Sequence, residues 1–336
     1  VTLNEASVRK QTAQAYEPLI LAGRTEDNTM SNQNNSTDSP CDIETGGTGV
    51  EQLIHPKDQE LGGFSVRRSL PSRGARRIGP WVFFDHMGPA DFPAGEGVNV
   101  LPHPHINMAT VTYLLDGEML HQDSVGSVQS IRPGDLNLMV AGSGIVHSER
   151  QSAEVKRQPH AIHGFQLWLA LPAEDEETEP AFYHYNSAQI PSLEIDGVSV
   201  RVLMGTAYGV TSPVKTFSST LYIEAKLKAG QSLALPHAAM RGLYVVSGAI
   251  SIQDLSIAQH RLALLSDDQQ IIIRAEHDSQ VVLIGGDDIG HRYMDWNFVS
   301  SRIERVKQAR QQWIDQQFAK IPTDNQEYIP YPTIQR

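Results

Sequence analysis

The sequence predicts an all-β fold of two consecutive barrels followed by one C-terminal α-helix, and three observations carry that reading. From about residue 52 to 290, short β-branched and aromatic runs (110–115, 165–171, 221–225) are punctuated by Gly, Pro and Asp at the spacing of barrel or sandwich strands. The second half repeats the texture of the first, with residues 242–248 standing where 111–117 stand. After Asn297 the apolar period becomes helical.

Taken in order, residues 1–50 read as a disordered N-terminal tail. The stretch 24–49 is rich in Ser, Thr, Asn and Asp and buries too little apolar surface to offset the entropy of ordering it. Met30 within it is an alternative start. Residues 51–180 are read as the first barrel and residues 181–292 as the second, with the acidic run 174–180 read as a solvated linker. Residues 293–336 supply a helix and tail that pack on the barrels. Ser301 and Glu304 make a capping-box signature, and Ile303, Val306, Trp313 and Phe318 can share an apolar face.

Composition narrows the function. The 336 residues suit roughly two domains, and 40% hydrophobic content is enough for a core in each. Cys41 is the single cysteine, which excludes an intrachain disulfide and a thiolate metal cluster. With 27 Lys and Arg against 39 Asp and Glu, the net charge of −12 disfavours attachment to nucleic acid or anionic lipid. No run approaches the ~18 apolar residues of a membrane span, and no export signal is read. We expect a cytoplasmic monomer that handles a small molecule.

Two segments carry the chemistry. Residues 101–105 (Leu-Pro-His-Pro-His) and 144–149 (Gly-Ile-Val-His-Ser-Glu) each place two potential ligands at i and i+2. On a strand such residues point the same way, so His103 pairs with His105 and His147 with Glu149. If the two strands lie opposite each other across a barrel interior, three imidazoles and one carboxylate converge on one ion and leave coordination positions open. With 13 His in the chain, chance supplies about half of one His-x-His pair, so the weight rests on the second pair and its setting. There Pro133-Gly134-Asp135 gives a tight turn, and Ala141-Gly142-Ser143-Gly144 lets the backbone approach closely before His147.

The plainer reading is that these are hydrogen-bonded core or surface residues. Asn107, His121, His163 and Gln166 are read as solvent-facing or bonded to backbone, and Phe165 and Trp168 as core. Arg67, Arg68, Arg73, Arg76 and Arg77 are read as a solvated, ion-paired edge.

The run from His103-Pro104-His105-Ile106-Asn107 through residues 110–117, His121-Gln122-Asp123-Ser124, Gly126-Ser127-Val128-Gln129, Ile131-Arg132-Pro133-Gly134-Asp135 and residues 141–149 resembles the pirin family of bicupins. Residues 78–86, Gly88-Pro89, residues 296–301 and Tyr328-Ile329-Pro330 fit it too, so the resemblance covers about residues 52 to 332. It implies two cupin barrels of double-stranded β-helix (jelly-roll) form. It also implies a single Fe(II), with other divalent transition metals as alternatives, bound by His103, His105, His147 and Glu149 in the N-terminal cupin, and a C-terminal cupin without metal. The sequence agrees on the last point, because His237 has no His two residues away. Residues 106–110 offer no carboxylate, which leaves Glu149 as the oxygen ligand.

The activity implied is that of a quercetin 2,3-dioxygenase, which opens a flavonol with O₂ and releases carbon monoxide, Glu149 accepting the 3-hydroxyl proton. The alternative implied is a non-enzymatic iron redox sensor that binds a transcription factor or a metabolic enzyme. A third reading, the metal as a fold staple, is disfavoured because barrels of this size bury ample apolar area without it.

Overall fold

In the computed structural model, which describes residues 42–60, 64–267 and 270–332, the regular structure of the described residues is almost wholly antiparallel strand. Most of the expected tail, residues 1–41 with Met30 and Cys41, lies outside the described residues. In chain order the first strands are β1 (Asp42–Thr45), β2 (Val50–His55), β3 (Lys57–Glu60), β4 (Ser65–Leu70), β5 (Trp81–Phe92), β6 (Asn99–His105) and β7 (Met108–Asp116). They are followed by β8 (Met119–Asp123), β9 (Val128–Ile131), β10 (Leu136–Val140), β11 (Ile145–Arg150), β12 (His160–Ala170) and β13 (Ala181–Tyr185).

The first barrel packs a seven-stranded sheet, ordered β13-β10-β7-β12-β5-β4-β3, against a four-stranded sheet, ordered β6-β11-β8-β9. The second barrel repeats the plan. Strands 262–265, 240–247, 279–286, 220–227, 198–204 and 192–195 lie side by side in one sheet, and strands 232–234, 272–275, 249–252 and 255–258 form the other. The repeat read in the sequence holds at this level: 240–247 is central in its sheet as β7 is in the first.

The expected boundaries need correction at both ends. Residues 42–50, read as tail, hold β1 and the start of β2. This hairpin adds to the second barrel, not the first, through pairing of β2 with strand 262–265. β1 is polar and reads as tail because an edge strand is held by backbone hydrogen bonds rather than by apolar burial. Conversely β13, assigned by sequence to the second barrel, pairs with β10 of the first.

In the acidic run Glu174, Glu177 and Glu179 are exposed as read, but Glu176 is not. Glu176 is fully buried and accepts hydrogen bonds from the Ser300 hydroxyl (3.0 Å) and from the Ser301 amide (2.5 Å) and hydroxyl (2.9 Å). The Ser301 side chain is turned to Glu176, and the residue at the helix N-cap is Arg302, so the expected capping box is not formed. Helix α1 (Ile303–Ile314) is capped at Arg302 without a side-chain bond. It buries Val306, Ala309 and Trp313 together with Trp296, Phe298, Val100 and Val146, which docks it behind the four-stranded sheet of the first barrel. Ile303 is half-exposed, and Phe318 lies past the helix end but stacks on Phe298.

A second apolar cluster containing Trp81, Phe84, Phe165, Tyr222 and Tyr244 joins the two barrels along a seam. None of the described helices is long and apolar enough to cross a membrane.

Candidate metal centre

The strands β6 and β11 are hydrogen-bonded neighbours rather than opposite walls of the barrel, with His103 directly across from His147. The convergence of the three imidazoles, expected across the interior, occurs instead within one sheet, where directly paired residues share a face, and Glu149, expected as the fourth ligand, is not a member of that cluster. The register of β11 against β6 shifts between His147 and Glu149. The glycines before His147 work as read. Gly142 has φ +49°, and a Cβ there would sit 1.9 Å from the Thr178 carbonyl oxygen, so no other residue fits.

The three imidazoles meet. Ring centroids are 4.3 Å apart for His103 and His147, 5.1 Å for His103 and His105, and 5.0 Å for His105 and His147. One ligand atom of each lies within 4.8 Å of the others, the only such group of three among the described residues. Nδ1 of His103 donates to the Leu101 carbonyl (2.8 Å) and Nδ1 of His105 to that of Asn297 (3.2 Å). A carbonyl only accepts, so both rings carry the proton on Nδ1 and keep the Nε2 lone pair for a ligand.

His147 is fully buried and neither of its nitrogens has a hydrogen-bond partner. An unmet buried polar group costs about 1–3 kcal/mol, and a metal ion is the partner that three such neutral nitrogens fit. Burial keeps them neutral: it lowers His103 to about 4 and puts His105 and His147 well below the ordinary imidazole range. The donor set suits a divalent transition metal.

Glu149 lies two residues beyond His147 on the same strand and is also buried. Its Oε1 accepts a hydrogen bond from Nε2 of Gln166 (3.0 Å), and the Gln166 amide is fixed in turn by Thr112, whose hydroxyl donates to Oε1 (2.7 Å). Burial pushes the Glu149 carboxyl up to about 7, against the opposing effect of the Gln166 and Thr112 bonds.

Sequence reasoning set Gln166 aside, yet it is the side chain that orients Glu149. Its signal was there, an amide inside the apolar run 165–171. His121 was set aside too. It is buried, bonded to Asp123 (2.9 Å), stacked on Phe182 and 5.3 Å from the His147 ring. Asn107 turns away to the Gly142 and Glu176 carbonyls. Phe165 and Trp168 are core as expected, but Trp168 also packs edge-on against His105.

Arg68 departs from the solvated edge. It is buried in a two-point pair with Asp85 (2.8 and 2.7 Å). In the second barrel His237 is exposed and faces Asp267.

Comparison with known proteins places the chain in one family. The family model described as Pirin matches residues 63–169, and that described as Pirin C-terminal cupin domain matches residues 222–319. A pirin-like protein of Caulobacter vibrioides is 37% identical over 84% of this chain and 99% of its own length. Pirin of Homo sapiens is 33% identical over 77% of this chain and 90% of its own. The crystal structure of a quercetin 2,3-dioxygenase from Acinetobacter baumannii superposes with a TM-score of 0.78 at 33% identity, covering 84% of this chain and 95% of that one.

Proposed function

The chain belongs to the pirin family, and from that premise we propose that it is a mononuclear iron dioxygenase acting on flavonols or related enolic compounds. The proposed ligands are His103, His105, His147 and Glu149. The observation that supports this most is the fully buried His147 ring, which has two unpartnered nitrogens beside two imidazoles whose tautomers are already set. A bound Fe(II) supplies a Lewis-acid and redox centre at which an enolic oxygen and O₂ meet.

This chain's own residues do the rest. The Leu101 and Asn297 carbonyls hold the rings of His103 and His105 in place. Glu149 accepts the proton of the substrate 3-hydroxyl, and the Gln166 amide stabilises the carboxylate and aims it. Trp168, stacked on Phe83 at 4.0 Å, walls the His105 side with apolar surface that keeps water out. The test is decay of the quercetin absorbance band in air with Fe(II)-loaded protein, together with carbon monoxide release. Absence of turnover across flavonols and related enediols overturns the proposal.

Burial of all four proposed ligands, none more than 3% exposed, favours a second reading as an iron-dependent redox regulator of a protein partner. That reading predicts a partner whose affinity differs between the Fe(II) and Fe(III) forms, measured by calorimetry with each form. Equal binding or none counts against it.

A further inference from the structure

The metal-facing strands are held from behind by the C-terminal segment, and the bonds fall on residues that alternate with the inward side chains. The Ile329 amide donates to the carbonyl of Pro102, next to His103 (2.9 Å). Arg150, next to Glu149, bonds both oxygens of Asp324 (2.6 and 2.9 Å). Thr323 donates to Gln122, next to His121 (2.7 Å). Nε1 of Trp313 donates to the Ile329 carbonyl (3.0 Å), which ties this segment to α1.

Between segment and sheet lies a cavity of about 160 Å³, lined in part by Pro102, Val146, Trp313, Phe318, Ile321 and Tyr328. Packing across β6 and β11 is therefore incomplete at that point, and the polar bonds at its edges fix how the segment sits. β11 is also the strand whose register shifts between His147 and Glu149, and Arg150 is its last residue.

We propose that residues 321–332 form a strap that positions the metal ligands, with Asp324 as the positioning residue that acts on Glu149 and His147 through Arg150. The proposal rests on the metal reading of the three-His cluster and adds a requirement that lies outside it. A displacement of a few tenths of an ångström in a ligand strand is enough to loosen a metal, and groups that orient ligands typically contribute about 10–100-fold in affinity. Asp324 and Arg150 are largely shielded, with side chains 14% and 20% exposed, so solvent screens the pair less than a surface bridge.

The experiment uses the full chain loaded with Ni(II) and follows metal loss to a chelator and the ligand-field spectrum, alongside thermal unfolding of the metal-free form. Asp324→Asn is expected to release Ni(II) about 10-fold faster and to shift the spectrum. Asp278→Asn, which breaks the exposed Lys228 pair of the second barrel, leaves both unchanged. Asp324→Glu restores part of the wild-type rate. Thr323→Val, which removes only the Gln122 bond, serves if Asp324→Asn does not fold, and is expected to speed release by roughly 2–3-fold. Wild-type release and spectrum in the folded variant overturn the strap whatever its melting temperature. Failure of the wild-type chain to hold Ni(II) overturns the metal reading instead.

Discussion

The two barrels share a plan and differ in what fills them. The second is packed with Val198, Val200, Val202, Ile223, Leu243 and Leu283 among other aliphatic side chains, all buried. Across the seven-stranded sheet of the first, Arg68, Asp85, Gln166, Thr112, Asn137 and His184 are direct cross-strand partners in one continuous row, and all but His184 are buried. This row lies on the sheet face that meets Glu149. Burying polar groups costs free energy unless each is paired, whereas apolar burial stabilises by about 25 cal/mol per Å². The first barrel therefore gives up part of its hydrophobic gain to hold a site. It recovers stability at the seam, where Trp81, Phe84 and Phe165 pack against Tyr222 and Tyr244. Duplication lets one copy hold the histidine cluster while the other keeps an aliphatic core.

The division can be broken from either side. Replacing His147 with Leu removes one imidazole ligand. Metal-binding free energies of about 10–16 kcal/mol are shared among three or four ligands, so affinity should fall at least ~100-fold by chelator competition. The metal-free variant should be no less stable than wild type in urea, because His147 has no hydrogen bond to lose. Substantial destabilisation would show instead that the ring is structural.

Leu283→Ala in the second barrel should do the opposite. It should cost about 2–5 kcal/mol of unfolding free energy while the metal content of the folded protein stays unchanged. Gln166→Leu should sharpen the comparison. With Glu149 no longer held by the amide, metal affinity should drop about 10-fold, and a change confined to unfolding free energy would assign Gln166 to packing alone.

The smallest effect belongs to the seam. His86 and His163 meet there at 2.7 Å, and the His260 ring stands 5.5 Å from His86. Burial lowers all three, His260 to about 4. Unfolded histidines titrate near ~6.5, so between roughly pH 6.5 and 4 the unfolded chain takes up protons that the folded chain refuses, and stability declines as pH falls. His260→Gln should flatten part of that decline in urea melts at pH 7, 6 and 5. An unchanged slope would remove His260 from the account.

What was legible in the sequence was local. Strand alternation paired His103 with His105 and His147 with Glu149, the glycines ahead of His147 marked the close approach of backbone, and the apolar period marked a helix after Asn297. Gln166 and Glu176 were misjudged because a polar residue in a strand or an acidic run is normally solvated. The partners that bury them, Glu149 for one and Ser300 with Ser301 for the other, come from distant segments.

By itself, then, the sequence determined the all-β class and the identity of the clustered histidines, which follow from spacing within a few residues, and pointed to the duplicated plan through the likeness of 242–248 to 111–117. Only the tertiary structure decided that β6 and β11 are neighbours, that β1 and β2 complete the far barrel, and that the C-terminal segment backs the metal-facing strands. Those choices are made by strand register and buried hydrogen bonds between segments tens to hundreds of residues apart, for which local propensity carries no signal.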